Sequence, residues 1–362
     1  MDGKQLIQCN IIDVKKDIKY DNLFIQIKKL LIISLFIIII IYLMLLSSDL
    51  KFFHNNMDLK NIYYTEEEKT NNINFDYINY EKSIITNKII KNAGWQLILD
   101  EAYFINGIIR KFKPKKCLEI GVANGGSSIL ILNAIKDIND SFLVSMDLNT
   151  QMYLNSELKT GYRVKKYFPE LSQKWRLFTG DMPHKFLVKL NETFDFLFLD
   201  TAHLAPGEIL NLIEVLPFLK EKAIMILHDI LWHFFKNVKI HPSNIYLFSN
   251  IRGDKILLKK NRIGNVGGIF LHPNQDKYYI NYFLLLLCNW EYIPIDRHIK
   301  DMKSFIQKYY NNSIYVKIFE NAVTMNQITI KRQLNSSVNF KNEIHKFYMK
   351  TIGNNAKNMT IY

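Results

Sequence analysis

The sequence predicts an α/β protein: a doubly wound, mostly parallel sheet, preceded by a transmembrane helix and followed by a helical extension. Three observations carry that expectation. Short, almost wholly apolar runs recur at regular intervals between residues 117 and 271. Stretches with helical spacing of apolar residues separate most of them, notably 127–138 and 207–219. Apolar strands alternating with helices imply a parallel sheet covered on both faces. The third observation is Glu-Ile-Gly-Val-Ala-Asn-Gly-Gly-Ser-Ser, residues 119–128, a glycine-rich turn where a buried strand hands over to a helix. Open α/β sheets bind nucleotides at such a junction, because glycine lets a ligand approach the backbone and the helix start offers free N–H groups.

Composition sets the frame. A chain of 362 residues, 48% of them hydrophobic and 13% aromatic, can bury the core of one ordinary domain with extensions, which excludes global disorder. The net charge of +13 would suit an acidic partner, but the lysines are scattered. No compact basic block with interleaved aromatics exists, so no nucleic-acid partner is expected. Cys9, Cys117 and Cys288 lie far apart and form no C-x-x-C pair, which points to neither a disulfide framework nor a zinc site.

In chain order, residues 1–29 form an N-terminal segment of cytoplasmic type and residues 30–48 an uncharged apolar run long enough to cross a bilayer as a helix. A single-pass anchor is expected. Lys15, Lys16, Lys19, Lys28 and Lys29 precede it and only Lys51 and Lys60 follow closely, so the positive-inside rule puts the bulk of the chain on the far side. Residues 49–92, rich in Asn, Tyr and Glu, read as a linker or stalk. A helix over about 95–113 should pack on the sheet before the first strand. The α/β domain then spans 93–273, with strands expected at 117–122, 142–147, 175–179, 194–200, 223–228 and 267–271. Helices over 278–287 and 299–319 belong to an extension at 274–332, and 333–362 reads as a loose tail.

Candidate site residues gather at strand ends. Glu119, Gly121, Ala123, Gly125 and Ser127 make up the turn, and Ala123 stands where a dinucleotide-binding Gly-x-Gly-x-x-Gly motif has its middle glycine. Asp147 ends the second strand, where an acid can accept hydrogen bonds from a ribose diol. Asp181, in Thr-Gly-Asp-Met, is placed either to approach an adenine amino group or to cap the next helix. Asp200 and His203 emerge from the strand Phe-Asp-Phe-Leu-Phe-Leu, and His228 and Asp229 from the next one. Two acids and two imidazoles therefore converge on one rim. Carboxylates with open positions for water suit an octahedral ion such as magnesium, and a histidine titrates in the range that proton removal near neutral pH requires. His233 is expected to be a surface or core histidine. Gly264 to Gly268 is expected to form a tight turn before an edge pair.

Leu118 to Gly126, Met146-Asp147, Gly180-Asp181, Phe194 to His203 and Leu227-His-Asp229 together resemble the ordered motifs of class I S-adenosylmethionine-dependent methyltransferases. The Asp-x-x-His and His-Asp pairs resemble those of metal-dependent sugar O-methyltransferases related to macrocin O-methyltransferase, and of cephalosporin-hydroxylase-type relatives. The resemblance implies a Rossmann-like fold over about 93–273, with Glu119, Gly121 and Gly125 shaping the methionine pocket and Asp147 holding the ribose. It implies magnesium at Asp200 and Asp229, with His203 as the base. His228 stands where that group often has an acid, which makes it a ligand or weakens the metal. The expected reaction is methyl transfer to a hydroxyl of a glycan, glycolipid or related small molecule. A nicotinamide-dependent sugar oxidoreductase or epimerase, and a non-catalytic tethered module, are the alternatives. Because S-adenosylmethionine is made in the cytosol, the lysine bias and the cosubstrate point to opposite sides of the membrane.

Overall fold

In a computed structural model the described residues are 85–94, 97–231, 243–258 and 265–336. The expected anchor at 30–48, the N-terminal segment, most of the stalk, His233, Gly264 and the tail beyond 336 lie outside them. Among the described residues, no helix is long and apolar enough to cross a membrane.

Helix α1 (Asn87–Asn92) and helix α2 (Leu99–Phe112) precede the sheet. The sheet is built from β1 (Lys116–Ile120), β2 (Phe142–Asp147), β5 (Trp175–Thr179), β6 (Phe194–Leu199), β7 (Leu219–His228), β8 (Gly253–Leu257) and β9 (Val266–Leu271). Their order is β5-β2-β1-β6-β7-β9-β8. Pairings from β5 through to β7 are parallel, while β9 runs antiparallel to both its neighbours. The mostly parallel, doubly wound sheet is therefore as the apolar strand pattern predicts. Two elements carry no such pattern. The edge strand β8 is only half-buried, and the pair β3 (Gln151–Met152) and β4 (Asn155–Lys159) is largely exposed and polar.

Alternation along the strands divides the core between the two faces. Leu118, Ile120, Leu197 and Leu199 pack on one side with α6 (Gly207–Val215). Cys117, Phe196 and Phe198 pack on the other with α2 and α3 (Gly126–Ile135). The extension is two long helices after α8 (Tyr279–Leu284), namely α9 (Asp296–Tyr309) and α10 (Ser313–Ser336), where the sequence suggested one helix over 299–319. Tyr310, Asn311 and Asn312 break it, with Asn311 in the left-handed region at φ 44°. Phe305, Ile306, Tyr310 and Phe319 of the extension are buried in the same apolar cluster as β1 and β6.

The chain leaves β1 toward β2 and β5 on one side and reaches β6 and β7 on the other, so the switch in strand order lies between β1 and β6. Ligands of open α/β sheets bind in the crevice beyond the strand ends at such a point. The glycine-rich turn leaves the C-terminal end of β1 there, and Asp200 leaves that of β6.

Candidate active site

The glycine-rich turn is held from three directions. Gly121, at φ +92°, lies so close to the next strand end that a Cβ would stand 1.7 Å from the carbonyl oxygen of Asp200. Ala123 adopts a left-handed φ of 48°, the conformation that glycine takes most easily. Its N–H and that of Val122 donate to Asp147 Oδ2 at 3.0 and 2.9 Å. Gly125, at φ +93°, precedes the first turn of α3 and abuts the backbone of Gly161.

Asp147 accepts a third backbone bond, from Asn149 to Oδ1 at 2.8 Å. With two bonds on Oδ2 and one on Oδ1, it keeps one ready acceptor position for a ribose hydroxyl. Burial raises its pKa, against the pull of those three N–H groups.

Glu119 points inward. Its Oε1 accepts from Ser127 Oγ at 2.6 Å, and its Oε2 from Ser128 and Ser145 at 2.6 and 2.5 Å. Trp175 Nε1 in turn donates to Ser145 at 2.8 Å. Glu119 thus shapes the turn by tying β1 to β2 and to the start of α3. Burial, only partly offset by the three hydroxyls, raises its pKa to about 7. The unfolded chain loses this proton near 4.5, so between there and about 7 the folded state binds more protons and stability falls as pH rises. The expected loss is on the order of 3 kcal/mol. Urea denaturation of Glu119→Gln at pH 5 and 7.5 should show that slope flattened relative to the parent; an equal slope in both would refute the assignment.

Asp181, just beyond β5, accepts its neighbour Met182 N–H at 2.9 Å and Arg297 Nη2 of α9 at 3.3 Å. Its hydrogen bonds go to these two groups, and the start of α5 (Pro183–Leu190) has no side-chain cap bond.

The second group stands across the switch point. Asp200, His203 and Asp229 each offer one ligand atom, all within 4.8 Å of one another. His203 Nε2 lies 2.8 Å from Asp229 Oδ2 and 3.6 Å from Asp200 Oδ1. His228 sits behind them, its Nδ1 3.2 Å from Asp200 Oδ1 and its Nε2 3.4 Å from Glu101 Oε2. Burial would strip both imidazoles of their protons, but the carboxylates reverse that. Asp229, Asp200 and Glu208 raise His203 to about 9, and Asp200 and Asp229 hold His228 well above its ordinary value. Against its own burial, Asp229 is held well below the usual carboxylate range by the two histidines.

Both His203 and Asp229 have left-handed backbones, at φ 56° and 53°. Each is held by a buried polar residue that the sequence did not single out. Asn265 Nδ2 donates to Asp229 Oδ1, while its own Oδ1 accepts the Leu231 N–H at 3.0 Å. Glu208 Oε1 accepts the His203 N–H. The signals were present: an acid inside the apolar helix after Asp-x-x-His, and an Asn beside the glycines before the last strand.

Residues 118–230 match the family model described as a methyltransferase domain. The sheet around these residues is Rossmann-like, mostly parallel with the switch in strand order between β1 and β6. No curated protein matches the chain. Among solved structures it is similar to the O-methyltransferase TomG from Streptomyces achromogenes, involved in tomaymycin synthesis and solved with S-adenosylmethionine, at 14% identity and TM-score 0.40 over 54% of this chain and 95% of that one. The O-methyltransferase from Bacillus cereus, solved with S-adenosylhomocysteine, aligns at 13% identity and TM-score 0.39 over 56% and 94%. The Podospora anserina methyltransferase PaMTH1, also bound to S-adenosylhomocysteine, aligns at 18% identity and TM-score 0.38 over 52% and 88%.

Within the matched residues the donor set fits a divalent ion. Two carboxylates and one imidazole converge, and Asp229 Oδ2 is left facing them because Asn265 engages Oδ1. Among the described residues, the ligand atoms that lie together are those of Asp200, His203 and Asp229, while His228 stands beside them against Asp200.

Proposed function

We propose that the chain is a membrane-anchored O-methyltransferase that moves the methyl group of S-adenosylmethionine to a hydroxyl of a glycan, glycolipid or related small molecule. The observation that supports a hydroxyl acceptor is the Asp200, His203 and Asp229 group facing the glycine-rich turn across the switch point. The apolar run at 30–48 supports the anchor, and a surface glycan fits a tethered domain.

The turn from Gly121 to Gly125 and Asp147 hold the cosubstrate, with the one remaining acceptor position on Asp147 meeting the ribose. Asp200, His203 Nε2 and Asp229 would hold magnesium, which when bound lowers the pKa of an acceptor hydroxyl beside it. In the transfer, the bond from sulfur to the methyl carbon breaks with its electron pair left on sulfur. The hydroxyl oxygen bonds that carbon and gives up its proton. His203 faces two carboxylates and stays protonated up to about 9 without an ion. The proton therefore passes to water at the open side of the group, beside Asp200, the most exposed of the three side chains at 25%. Orientation of the pair and exclusion of water supply the rest, since the sulfonium is already activated.

The test uses the full chain in detergent. S-adenosylhomocysteine should bind in a calorimetric titration and NAD should not, and labelled methyl should pass to an extracted glycolipid fraction and stop on adding a chelator. Binding of NAD instead would favour a sugar oxidoreductase or epimerase; binding of neither would sink both.

A further inference from the structure

We infer that Glu208 is a positioning residue for His203, fixing both its backbone and the direction in which its imidazole offers Nε2 to the rim. The inference rests on the proposed function only in naming what that Nε2 serves.

Glu208 lies in the first turn of α6, five residues after His203, and only 1% of it is exposed. A buried carboxylate in an apolar helix face is costly unless its oxygens are used. Here one oxygen accepts two hydrogen bonds and faces a third group. Oε1 accepts the backbone N–H of His203 and the hydroxyl of Thr201 at 3.1 Å, and lies 3.6 Å from His203 Nδ1. The same atom thus faces both ends of one residue. His203 needs such a hold, because its left-handed backbone costs about 1 kcal/mol or more for a residue with a Cβ.

The consequence for the ring is geometric. With Nδ1 turned to Glu208, the opposite nitrogen must point to the other side, and there Nε2 meets Asp229 at 2.8 Å and Asp200 at 3.6 Å. The Glu208 charge 3.6 Å behind Nδ1 favours this orientation of the ring, and losing a carboxylate behind a metal-bound imidazole typically weakens the metal by about 10- to 100-fold.

Glu208 is itself anchored. Thr201 Oγ1 also reaches Asn211 Oδ1 at 3.2 Å, Asn211 Nδ2 donates to Glu214 Oε2 at 3.0 Å, and Glu214 Oε1 meets His184 Nδ1 at 2.6 Å. This buried polar chain runs along α6 to α5 and sets where Glu208 stands.

Glu208→Gln keeps the carbonyl that receives the His203 N–H and the Thr201 hydroxyl but removes the charge facing the ring. Two readouts on the full chain decide. In metal-free protein, the 15N resonances of the His203 imidazole should shift on this substitution while those of His184 stay in place; unmoved His203 resonances overturn the positioning role whatever the metal does. In a Mn2+ titration, Glu208→Gln should bind about 10- to 100-fold more weakly than the parent with its thermal midpoint little changed; equal affinity overturns the inference. A parent chain that binds no Mn2+ overturns the metal reading of the rim, and the resonances then decide for Glu208 alone. Should Glu208→Gln fail to fold, Glu208→Asp keeps the charge but withdraws it by one carbon, and the same two readouts apply.

Discussion

His203→Ala is expected to lower kcat/KM for methyl transfer by at least about 10²-fold while S-adenosylhomocysteine affinity stays within about threefold. The cosubstrate contacts come from the turn and Asp147, on the other side of the switch point, so binding and chemistry should separate cleanly. Two ways of losing activity are distinguishable. If His203 holds the ion, a large excess of Mn2+ or Mg2+ should restore part of the rate, because Asp200 and Asp229 remain. If it takes the hydroxyl proton, no ion concentration helps, and the ascending limb of the pH–rate profile disappears. The facing of Nε2 toward both carboxylates favours the first outcome. An unchanged kcat/KM would remove His203 from the chemistry altogether.

Gly121→Ala should be the most damaging single substitution in the turn, costing on the order of 3 kcal/mol or more. Two penalties add. At φ +92° any residue with a Cβ is strained, and that Cβ would fall 1.7 Å from the Asp200 carbonyl oxygen, which is backbone and cannot rotate away. Relief requires β1 and β6 to part at their C-terminal ends, where Gly121 N–H donates to Met146 and Asp200 N–H to Ile120. Urea denaturation should show the loss, and S-adenosylhomocysteine binding should vanish in whatever protein still folds. A variant with parental stability and binding would show that the crevice is not built as described.

The strands β1, β2, β6 and the second half of β7 were legible because each holds a run of buried, mainly apolar residues that ends at or just before an acid or glycine, and the half-buried β5 because it runs into Gly180. β8 was not, since Gly-Asp-Lys-Ile-Leu carries half its residues to solvent at the sheet edge and shows neither a run nor a clean alternation. At the site, Asp147, Asp200, His203 and Asp229 were legible as residues at strand tips. Which of their atoms come together was not. Which histidine joins the two acids depends on the left-handed turns at His203 and Asp229, and no spacing rule announces those. Glu119 was read as part of a ligand pocket, but its three serine partners come from α3 and β2 and only the fold brings them together. Ala123 was read as standing where a dinucleotide-binding motif has its middle glycine; its φ of 48° places it in the left-handed region that glycine adopts most easily.

The extension after β9 bears on how the enzyme would be dissected. Glu291 takes the Ala205 N–H on its side chain and gives its own N–H to the Ala205 carbonyl at 2.9 Å, closing the loop that carries His203 with a segment 86 residues downstream. Arg297 reaches Asp181 on the opposite part of the rim. A chain ended near residue 273, at the natural-looking sequence boundary, would lose both ties together with the apolar partners of α6. The segment through α9 is therefore part of what holds the His203 loop and the Asp181 side of the rim in place.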